Sequence, residues 1–352
     1  MRKNLRNEVR KYLTDTYPDS QRDKAYEILR ELYGYRTKAP SLYKFRKVDE
    51  NTLYNLMRDK LFFSNPENYN DPYDSLLYFD EEKFIKALVD QSELEHIKMI
   101  KDHVVQNGAF PQGFMITDDE EINGAMLTQF KNDSPEKISE SWIKNIEPVN
   151  KLFQDTCEAL KKGIRESNRV CCLTETVDTV DSMLMWGHYA DSHKGIALEY
   201  DFKNADFIHF AQGGIYPFLL PVLYAKEKFD ATEYAVFWFA HHIAELADAN
   251  SQVEYPDILL PLVKAYLFKA KSWEYEKEWR FIVMQDPKFK PDETFTLNIK
   301  PKAVYLGTNI SSINRERILD ICNEKQIDVY AMSINEKSKK YALTKTKLNN
   351  KN

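Results

Sequence analysis

Residues 273–283, WEYEKEWRFIV, end in an apolar run that predicts a β-strand. Because the side chains of a strand point alternately to its two faces, we expect Glu276, Glu278 and Arg280 on one face. The opposite face then carries Tyr275, Lys277, Trp279 and Phe281. Two carboxylates and a guanidinium on a mostly buried strand cost free energy unless they are paired or used in chemistry. This stretch is therefore the first candidate for a functional site.

The length and composition of the chain limit the classes of protein that it can be. The chain has 352 residues and 43% of them are hydrophobic, so it can bury the core of one large domain or of two ordinary ones. Aromatic residues make up 13%, which also suits flat ligands such as bases. The net charge of −6 argues against a large phosphate-binding surface but is compatible with a local basic cleft.

The four cysteines give no sign of a disulfide framework or a zinc site, since no C-x-x-C pair occurs. The N-terminus is charged and lacks the apolar core of a signal peptide. The longest apolar stretches are too short to cross a bilayer. We therefore expect a cytoplasmic protein that binds no metal and makes no contact with a membrane.

Several common catalytic motifs are absent from the sequence. It contains no glycine pattern of the dinucleotide-binding or P-loop type, no H-E-x-x-H and no G-x-S-x-G. The chain has only 10 glycines, although loops that cradle phosphates need them. Rossmann dehydrogenases, P-loop NTPases, zincins and α/β-hydrolases are therefore disfavoured.

The spacing of apolar residues predicts a single α+β domain over residues 41–333, built on a central mixed or antiparallel sheet. Two helical, charge-rich blocks, at about 81–166 and 231–269, are expected to be insertions into this domain. Residues 1–40 are expected to form an N-terminal helical extension.

The C-terminal residues 334–352 are expected to contribute a strand and a frayed tail. The sequence is rich in lysine and asparagine from Leu343 onward, which favours fraying.

The predicted strand of residues 42–46 carries Lys44 and Arg46 on one face and Tyr43 and Phe45 on the other. The basic face is either part of a buried ion-pair network or a grip for an anion, for which arginine suits phosphate better than lysine. The residues alone leave both interpretations open.

A polar loop follows the predicted strand of residues 61–63. Asn70 and Asp71 can brace its backbone, and Pro72 stiffens it. The loop is either a turn held by side-chain hydrogen bonds or a rigid rim that orients ligand or catalytic groups.

Residues 182–190 predict a short helix that is dense in functional side chains. Trp186 and Tyr189 are three residues apart and share a side, His188 lies beside them, and His193 follows the helix end. The set is either an aromatic patch with satisfied histidines or a platform on which a ring stacks, with a histidine as proton carrier. Metal ligands at a bending helix end would be poorly placed.

The Glu276-x-Glu278-x-Arg280 pattern also has two interpretations. One is an ion ladder within the sheet. The other is a carboxylate pair in which Arg280 keeps one member ionised while the second accepts a hydrogen bond. In that case, Lys271 and Trp273 would close the pocket.

Four motifs in this order, YKFR, NDPYD, WGHYAxxHKG and YEKEWR, resemble a widespread bacterial and phage family of unknown function. The resemblance extends over about residues 41–333.

The order of motifs also resembles the ADP-ribosyltransferase fold. Those enzymes have a histidine or arginine on an early strand, a serine, threonine or tyrosine on a middle strand, and a catalytic glutamate on a late strand. The resemblance implies Arg46 for the early position, Thr174 or Tyr189 for the middle one, and Glu276 or Glu278 for the late one. It implies NAD as the substrate, with His188 as a further catalytic residue. The implied NAD-binding residues are Tyr43, Arg46, Asn70, Asp71, Trp186, His193, Lys271 and Arg280.

The resemblance further implies a toxin or anti-phage effector that modifies a protein or nucleic acid and is neutralised by a partner protein. One alternative is a metal-dependent nuclease that uses Asp71 or Asp74 with Glu276 and Glu278, and Arg280 in place of the usual lysine. The other is a ligand-sensing module whose charged strand is purely structural.

Overall fold

A large mixed β-sheet with helices on both faces forms the body of the protein, as the computed structural model shows, and the predicted α+β class is confirmed. The structure describes residues 2–14, 22–89, 91–111, 120–144, 146–203, 215–236, 256–285 and 295–348.

The helices of the described residues are α1 (Arg2–Thr14), α2 (Arg22–Gly34), α3 (Glu50–Met57), α4 (Glu81–Val89), α5 (Gln91–Asn107), α6 (Glu120–Asn132), α7 (Pro135–Lys144), α8 (Ile146–Ser167), α9 (Val180–Tyr189), α10 (Pro256–Leu267) and α11 (Ser312–Lys325). The strands are β1 (Leu42–Arg46), β2 (Lys60–Phe63), β3 (Leu77–Tyr78), β4 (Asn168–Thr174), β5 (Ile196–Tyr200), β6 (Ile215–Pro221), β7 (Leu223–Ala225), β8 (Phe229–Asp230), β9 (Phe268–Ala270), β10 (Glu278–Gln285), β11 (Phe295–Asn298), β12 (Ala303–Leu306), β13 (Asp328–Ile334) and β14 (Leu343–Leu348).

The central sheet has eight strands in the order β14-β13-β12-β5-β1-β4-β10-β6. Every neighbouring pair is antiparallel except β12 and β13, which are parallel. The early strand β1, the middle strand β4 and the late strand β10 are therefore consecutive neighbours.

The two faces of the sheet are covered by different helices. On one face, apolar residues of β4 and β10, such as Leu173 and Phe281, pack in one core with residues of α3 and α11. On the other face, α1, α2 and α10 cover β6 and β10, while α9 covers β1, β5 and β12. Both faces of the central strands are thus removed from water, so any charge on them needs a partner.

The helices α4 to α8 correspond to the first predicted helical block and have a hydrophobic core of their own, with Phe84, Val104 and Phe130 fully buried. Much of the second block, residues 237–255, lies outside the described residues, and α10 follows it. The division of the chain into domains stays a prediction.

Two local expectations were wrong. Residues Lys271–Glu276 form a 3₁₀-helix rather than a strand, and Lys277 is left-handed with φ 46°, because the chain must turn between β9 and β10. Fraying from Leu343 onward was also wrong for the described residues, because Leu343–Leu348 pair along their whole length with β13.

A buried carboxylate cluster as the candidate functional site

Five charged side chains from four segments of the chain meet under α9. Glu278 and Arg280 come from β10, Lys269 from β9, Glu276 from the end of the 3₁₀-helix, and Asp74 from the loop before β3. All five are buried, and the two glutamates are only 2% and 3% exposed. We call these five residues the carboxylate cluster.

Lys269 lies among the three acids. Its Nζ is 2.6 Å from Oε2 of Glu276, 2.9 Å from Oε2 of Glu278 and 3.4 Å from Oδ2 of Asp74. A single ammonium group with three donors thus meets three carboxylates. Among the described residues, no group of histidine, cysteine or acidic side chains is arranged to hold a metal.

Arg280 is completely buried and all its nitrogens have acceptors. Nε donates to Oε1 of Glu278 at 2.8 Å, and Nη2 donates to Oδ2 of Asp74 at 2.5 Å. Nη1 donates to the backbone carbonyl of Tyr266 at 2.6 Å and to Oγ of Ser75 at 3.3 Å. The guanidinium therefore links β10 to the loop before β3.

The loop that delivers Asp74 is held by its own side chains. Oδ1 of Asp71 accepts from the backbone N–H of Tyr73 at 2.9 Å, and the backbone N–H of Asp74 donates to the carbonyl of Asp71 at 3.1 Å. Ser75 has φ 55° and its Oγ donates to Oδ1 of Asp74 at 2.9 Å. Asp71 thus braces the turn, and Asp74 is the residue that enters the cluster.

The electrostatics separate the two glutamates. Burial alone would raise the pKa of Glu278, but the Arg280 guanidinium and the Lys269 ammonium outweigh it and hold that pKa well below its usual range. The pKa of Glu276 is raised by burial and by the neighbouring Glu278 charge, although Lys269 opposes the shift. Glu278 is therefore held as a carboxylate, and Glu276 is the acid that takes up a proton more readily.

The charges of the cluster explain this difference. Three carboxylates face two cations, so the fully ionised cluster carries one excess negative charge. A proton on Glu276 would remove that excess.

Helix α9 reaches the cluster through its last residue. The hydroxyl of Tyr189 donates to Oε1 of Glu276 at 2.6 Å, and the same hydroxyl is hydrogen-bonded to the side chain of Asn70. Burial and the Glu276 charge raise the pKa of Tyr189. Thr174 at the end of β4 donates from Oγ1 to the backbone carbonyl of Glu276 at 2.5 Å. The structure thus brings together Asn70, Tyr189, both glutamates and Arg280.

Arg46 lies on the opposite face of the sheet from Glu278. Tyr43 pairs with Thr174, and Thr174 pairs with Glu278, so these three share a face. Arg46, three positions after Tyr43 on the same strand, points the other way. Its charge acts on Tyr200 of the apolar core on that other side. The expected grouping of Arg46 with Glu278 was therefore wrong.

The aromatic residues of α9 do not form an open platform. Trp186 is fully buried, its Nε1 donates to the carbonyl of Val177 at 2.8 Å, and Phe45 packs edge-on against its ring. The ring of His193 stacks beside Trp186 with a centroid distance of 6.3 Å. His188 is exposed and lies edge-on to Tyr189. Trp186 is thus a core residue rather than a ligand-stacking one.

The remaining predicted residues lie at the edges of the cluster. Tyr43 shares the face of Glu278 and packs edge-on against Tyr305. Lys271 is exposed at the start of the 3₁₀-helix, and Trp273 of the same helix lies 5.0 Å from the Lys269 ammonium. Glu276 and Glu278 are buried and contact Tyr189, Lys269 and Arg280, so a ligand reaches them only if the surrounding groups move.

Sequence reasoning missed Lys269 and Arg6. Lys264 and Lys269 are the two charged residues in the apolar stretch from Ile258 to Ala270, and cations within such a stretch were the available signal. Arg6 on α1 donates to the backbone carbonyls of Val222 and Glu278 and to Oε1 of Glu175, at 2.6, 3.1 and 2.8 Å. No feature of the N-terminal sequence pointed to these contacts.

The fold and the site define an α+β protein with a buried, ion-paired carboxylate cluster on one face of a mixed sheet. The family model described as "Protein of unknown function (DUF2971)" matches residues 185–281, from α9 to β10. This segment contains Tyr189, Lys269 and the Glu276-x-Glu278-x-Arg280 pattern, and for it the predicted resemblance to an uncharacterised family is confirmed.

Neither the comparison with curated proteins nor the comparison with solved structures gave a match. In the described part of the chain, no helix is both long and apolar enough to cross a membrane.

Proposed function

We propose that the protein is an enzyme of the ADP-ribosyltransferase type, which cleaves NAD and transfers ADP-ribose to a macromolecule. One observation carries the proposal: Tyr43, Thr174 and Glu278 form a single row on one face of three neighbouring strands. The ADP-ribosyltransferase resemblance places the functional residues on an early, a middle and a late strand, which here are β1, β4 and β10. Thr174 and Glu278 have the residue types that it implies, and Tyr43 takes the early position in place of Arg46.

The charge state of Glu278 suits this chemistry. Breaking the bond between nicotinamide and ribose builds positive charge on the ribose, and a nearby carboxylate stabilises that charge. Because Arg280 and Lys269 keep the pKa of Glu278 low, this side chain is ionised at neutral pH. One well-placed electrostatic group of this kind contributes roughly 3–4 kcal/mol to the transition state.

The residues around the cluster supply further parts of an NAD site. Tyr43 is half-buried and offers an aromatic ring on the correct face, and the exposed Lys271 is a cation for the diphosphate. Arg46 has no role in this scheme. Since Glu278 is covered, substrate entry requires the segment Lys271–Glu276 to swing out and the Tyr189–Glu276 hydrogen bond to break.

The test uses purified full-length protein, NAD labelled in its adenylate half, and extract of a host cell. Wild type should release nicotinamide and label a macromolecule, and Glu278→Gln should lower both by at least about 100-fold. Glu274→Gln is the matched control, because Glu274 is exposed in the same 3₁₀-helix. Thermal unfolding of each variant separates lost chemistry from lost structure. Wild type that neither releases nicotinamide nor transfers label would overturn the proposal.

The burial and pairing of the five charges favour a second candidate, a non-catalytic ligand-binding module in which the cluster is structural. In that case Glu276→Gln and Glu278→Gln variants that fold should retain full cellular function. The metal-dependent nuclease is less favoured, since Lys269 fills the space among the three acids.

The cellular role that accompanies the first candidate is that of a toxin or anti-phage effector acting in the cytoplasm and held in check by a partner protein. The resemblance of the four motifs to a bacterial and phage family supports it. Expression of wild type should arrest growth of the host, whereas expression of Glu278→Gln should not.

A further inference from the structure

Residues 334–348, which form the tip of the β13–β14 hairpin together with strand β14, are strongly basic in an acidic protein. Residues 334–348 contain five lysines and one glutamate, a net charge of +4, while the whole chain carries −6. This is a local basic surface of the kind that binds phosphate backbones.

The lysines at the hairpin tip are open to solvent. Lys337, Lys339 and Lys340 are exposed, and within the described residues no salt bridge involves them. Lys345 and Lys347 on β14 are paired with Asp178 and Asp328 at 3.2 and 2.8 Å. Three of the five cations are thus available to an anionic ligand.

Two large side chains stand out beside the tip lysines. Tyr341 is 79% exposed and Ile334 is 71% exposed. The turn that carries them is ordered by hydrogen bonds from the backbone N–H of Asn335 to the carbonyl of Ala342 and from that of Lys340 to Oγ of Ser338, both at 3.0 Å. An exposed aromatic ring on a rigid basic turn suits stacking of an unpaired base.

Lysines on an edge strand also prevent edge-to-edge aggregation. That role accounts for Lys345 and Lys347, which lie on β14 itself. It does not account for the three lysines of the turn or for the exposed Tyr341, because these residues lie outside the strand ladder.

The hairpin is linked to the carboxylate cluster through α9. The Lys345–Asp178 ion pair lies just before the first residue of α9, and Tyr189 at its last residue contacts Glu276. A helix of 10 residues spans about 15 Å. The lysines of the turn lie farther from the cluster. By register, Asp328 is the β13 residue in the row of Glu278, five strands or about 24 Å away, and Ile334 lies six residues, or about 20 Å, further along β13. A nucleic-acid strand bound at the turn must therefore extend by roughly nine phosphates, at about 3.4 Å each, to reach the cluster.

We propose that the hairpin of residues 334–348 binds single-stranded nucleic acid and presents it to the carboxylate cluster, so that nucleic acid is the macromolecule that is modified. The lysines of the turn contact the phosphate backbone, and Tyr341 stacks on a base. This inference rests on the proposed function for the modification step, but the binding step is independent of NAD.

The binding step is tested with the full chain and a fluorescent 20-nucleotide single strand, followed by anisotropy from 50 to 200 mM salt. The triple variant K337E/K339E/K340E should lose at least about tenfold in affinity and reduce the slope of log K against log salt by about 2. The control K86E/K137E/K162E changes the charge equally at exposed lysines of α4, α7 and α8 and should bind as wild type. Tyr341→Ala should weaken binding about tenfold at all salt concentrations.

Failure of wild type to bind the strand, or equal binding by the two triple variants, overturns the inference. Transfer of label from NAD to protein in extract freed of nucleic acid also overturns it, although the proposed function would then stand. If the strand binds to both wild type and Glu278→Gln while NAD remains intact, the binding surface stands and the proposed function fails.

Discussion

Glu199 and Glu278 are buried acids in the same row of the central sheet, and they are neutralised in different ways. Tyr43 pairs with Glu199 on one side and with Thr174 on the other, and Thr174 pairs with Glu278. The two acids are thus three strands, or about 14 Å, apart on the same face. Their residue type and strand register are the same, so their partners make the difference.

Glu199 is satisfied mainly by neutral or exposed groups. The Tyr305 hydroxyl donates to its Oε2 at 2.6 Å, and Nζ of Lys302, a side chain that is 62% exposed, lies 3.1 Å from its Oε1. Burial alone would raise the pKa of Glu199, but these hydrogen bonds lower it. Because Lys302 stays mostly in water, pairing it with the buried Glu199 costs little desolvation free energy.

Glu278 instead depends on two cations that are themselves buried. Removing Lys269 and Arg280 from water carries a desolvation cost that a hydrophobic replacement would avoid. A structural acid in this row therefore needs only the arrangement at Glu199. The more expensive arrangement at Glu278 is the physical reason to look for chemistry there.

The largest expected difference between the two sites is the loss of stability in Lys269→Met compared with that in Lys302→Met. Loss of Lys269 leaves three buried carboxylates with a single guanidinium, so the free energy of unfolding should fall by about 3–5 kcal/mol. Loss of the mostly exposed Lys302 should change it by about 0–1 kcal/mol. Urea denaturation at pH 7 measures both. Similar losses in the two variants would mean that the two ends of the row are energetically equivalent.

The Glu278 end of the row is also tied to the N-terminal helix, and Arg6→Met tests that tie. Arg6 donates to two backbone carbonyls, one of them that of Glu278, and to Glu175, which also accepts from Nε1 of Trp279 at 2.7 Å. Hydrogen bonds to charged groups contribute about 1.5–3 kcal/mol, so a loss of that size is expected.

The matched control for Arg6→Met is Arg10→Met, because Arg10 lies on the same helix and donates one hydrogen bond, to the backbone carbonyl of Tyr224 on β7. It should lose about 1 kcal/mol. Hydrogen exchange at the start of β10 should accelerate in Arg6→Met more than in the control. Unchanged exchange there would show that α1 does not hold the Glu278 segment.

The sequence pattern predicted three of the five residues of the carboxylate cluster. Alternation along residues 273–283 brought Glu276, Glu278 and Arg280 together, although a 3₁₀-turn rather than a strand delivers Glu276. Asp74 was grouped with them only in the nuclease alternative, where Asp71 was offered equally, and Lys269 was missed, because ion pairing between distant segments leaves no periodic signal.

The misplacement of Arg46 has a different cause. The residue pattern of β1 shows that Arg46 and Tyr43 face opposite ways, but it does not show which of them faces the charged side of β10. That choice is made by the register across β4, where Tyr43 pairs with Thr174 and Thr174 with Glu278. A shift of one residue would have put Arg46 on the other side.

A smaller difference in stability is expected between Tyr305→Phe, which removes the hydroxyl bonded to Glu199, and Tyr189→Phe, which removes the hydroxyl bonded to Glu276. Tyr305→Phe leaves the buried Glu199 with a mostly exposed lysine as its cation, so a loss of about 1–3 kcal/mol is expected. Tyr189→Phe leaves Glu276 with the buried Lys269, so a loss of about 0.5–1.5 kcal/mol is expected. Thermal unfolding of the two variants at the same pH compares them. A larger loss for Tyr189→Phe would reverse the ranking of the two sites.

The smallest effect, and the one that best isolates the excess charge, is that of Glu276→Gln. The pKa of Glu276 in the folded protein is raised above its ordinary value of 4.5, so the folded state binds a proton more tightly than the unfolded state. Wild type therefore has the stabilising contribution of protonated Glu276 below pH 4.5 and loses it as the pH rises through the folded-state pKa. Glutamine resembles the protonated acid and does not titrate.

The stability of Glu276→Gln relative to wild type should therefore increase as the pH rises from 4.5 to 8, by about 1 kcal/mol or less for each unit of pKa shift. Glu274→Gln, which removes an exposed acid from the same 3₁₀-helix, should show no such trend. Urea denaturation at intervals of half a pH unit gives the two curves. If Glu276→Gln instead loses stability relative to wild type as the pH rises, the ionised Glu276 is stabilising. The cluster would then tolerate all three negative charges, and the contrast with Glu199 would rest on desolvation alone.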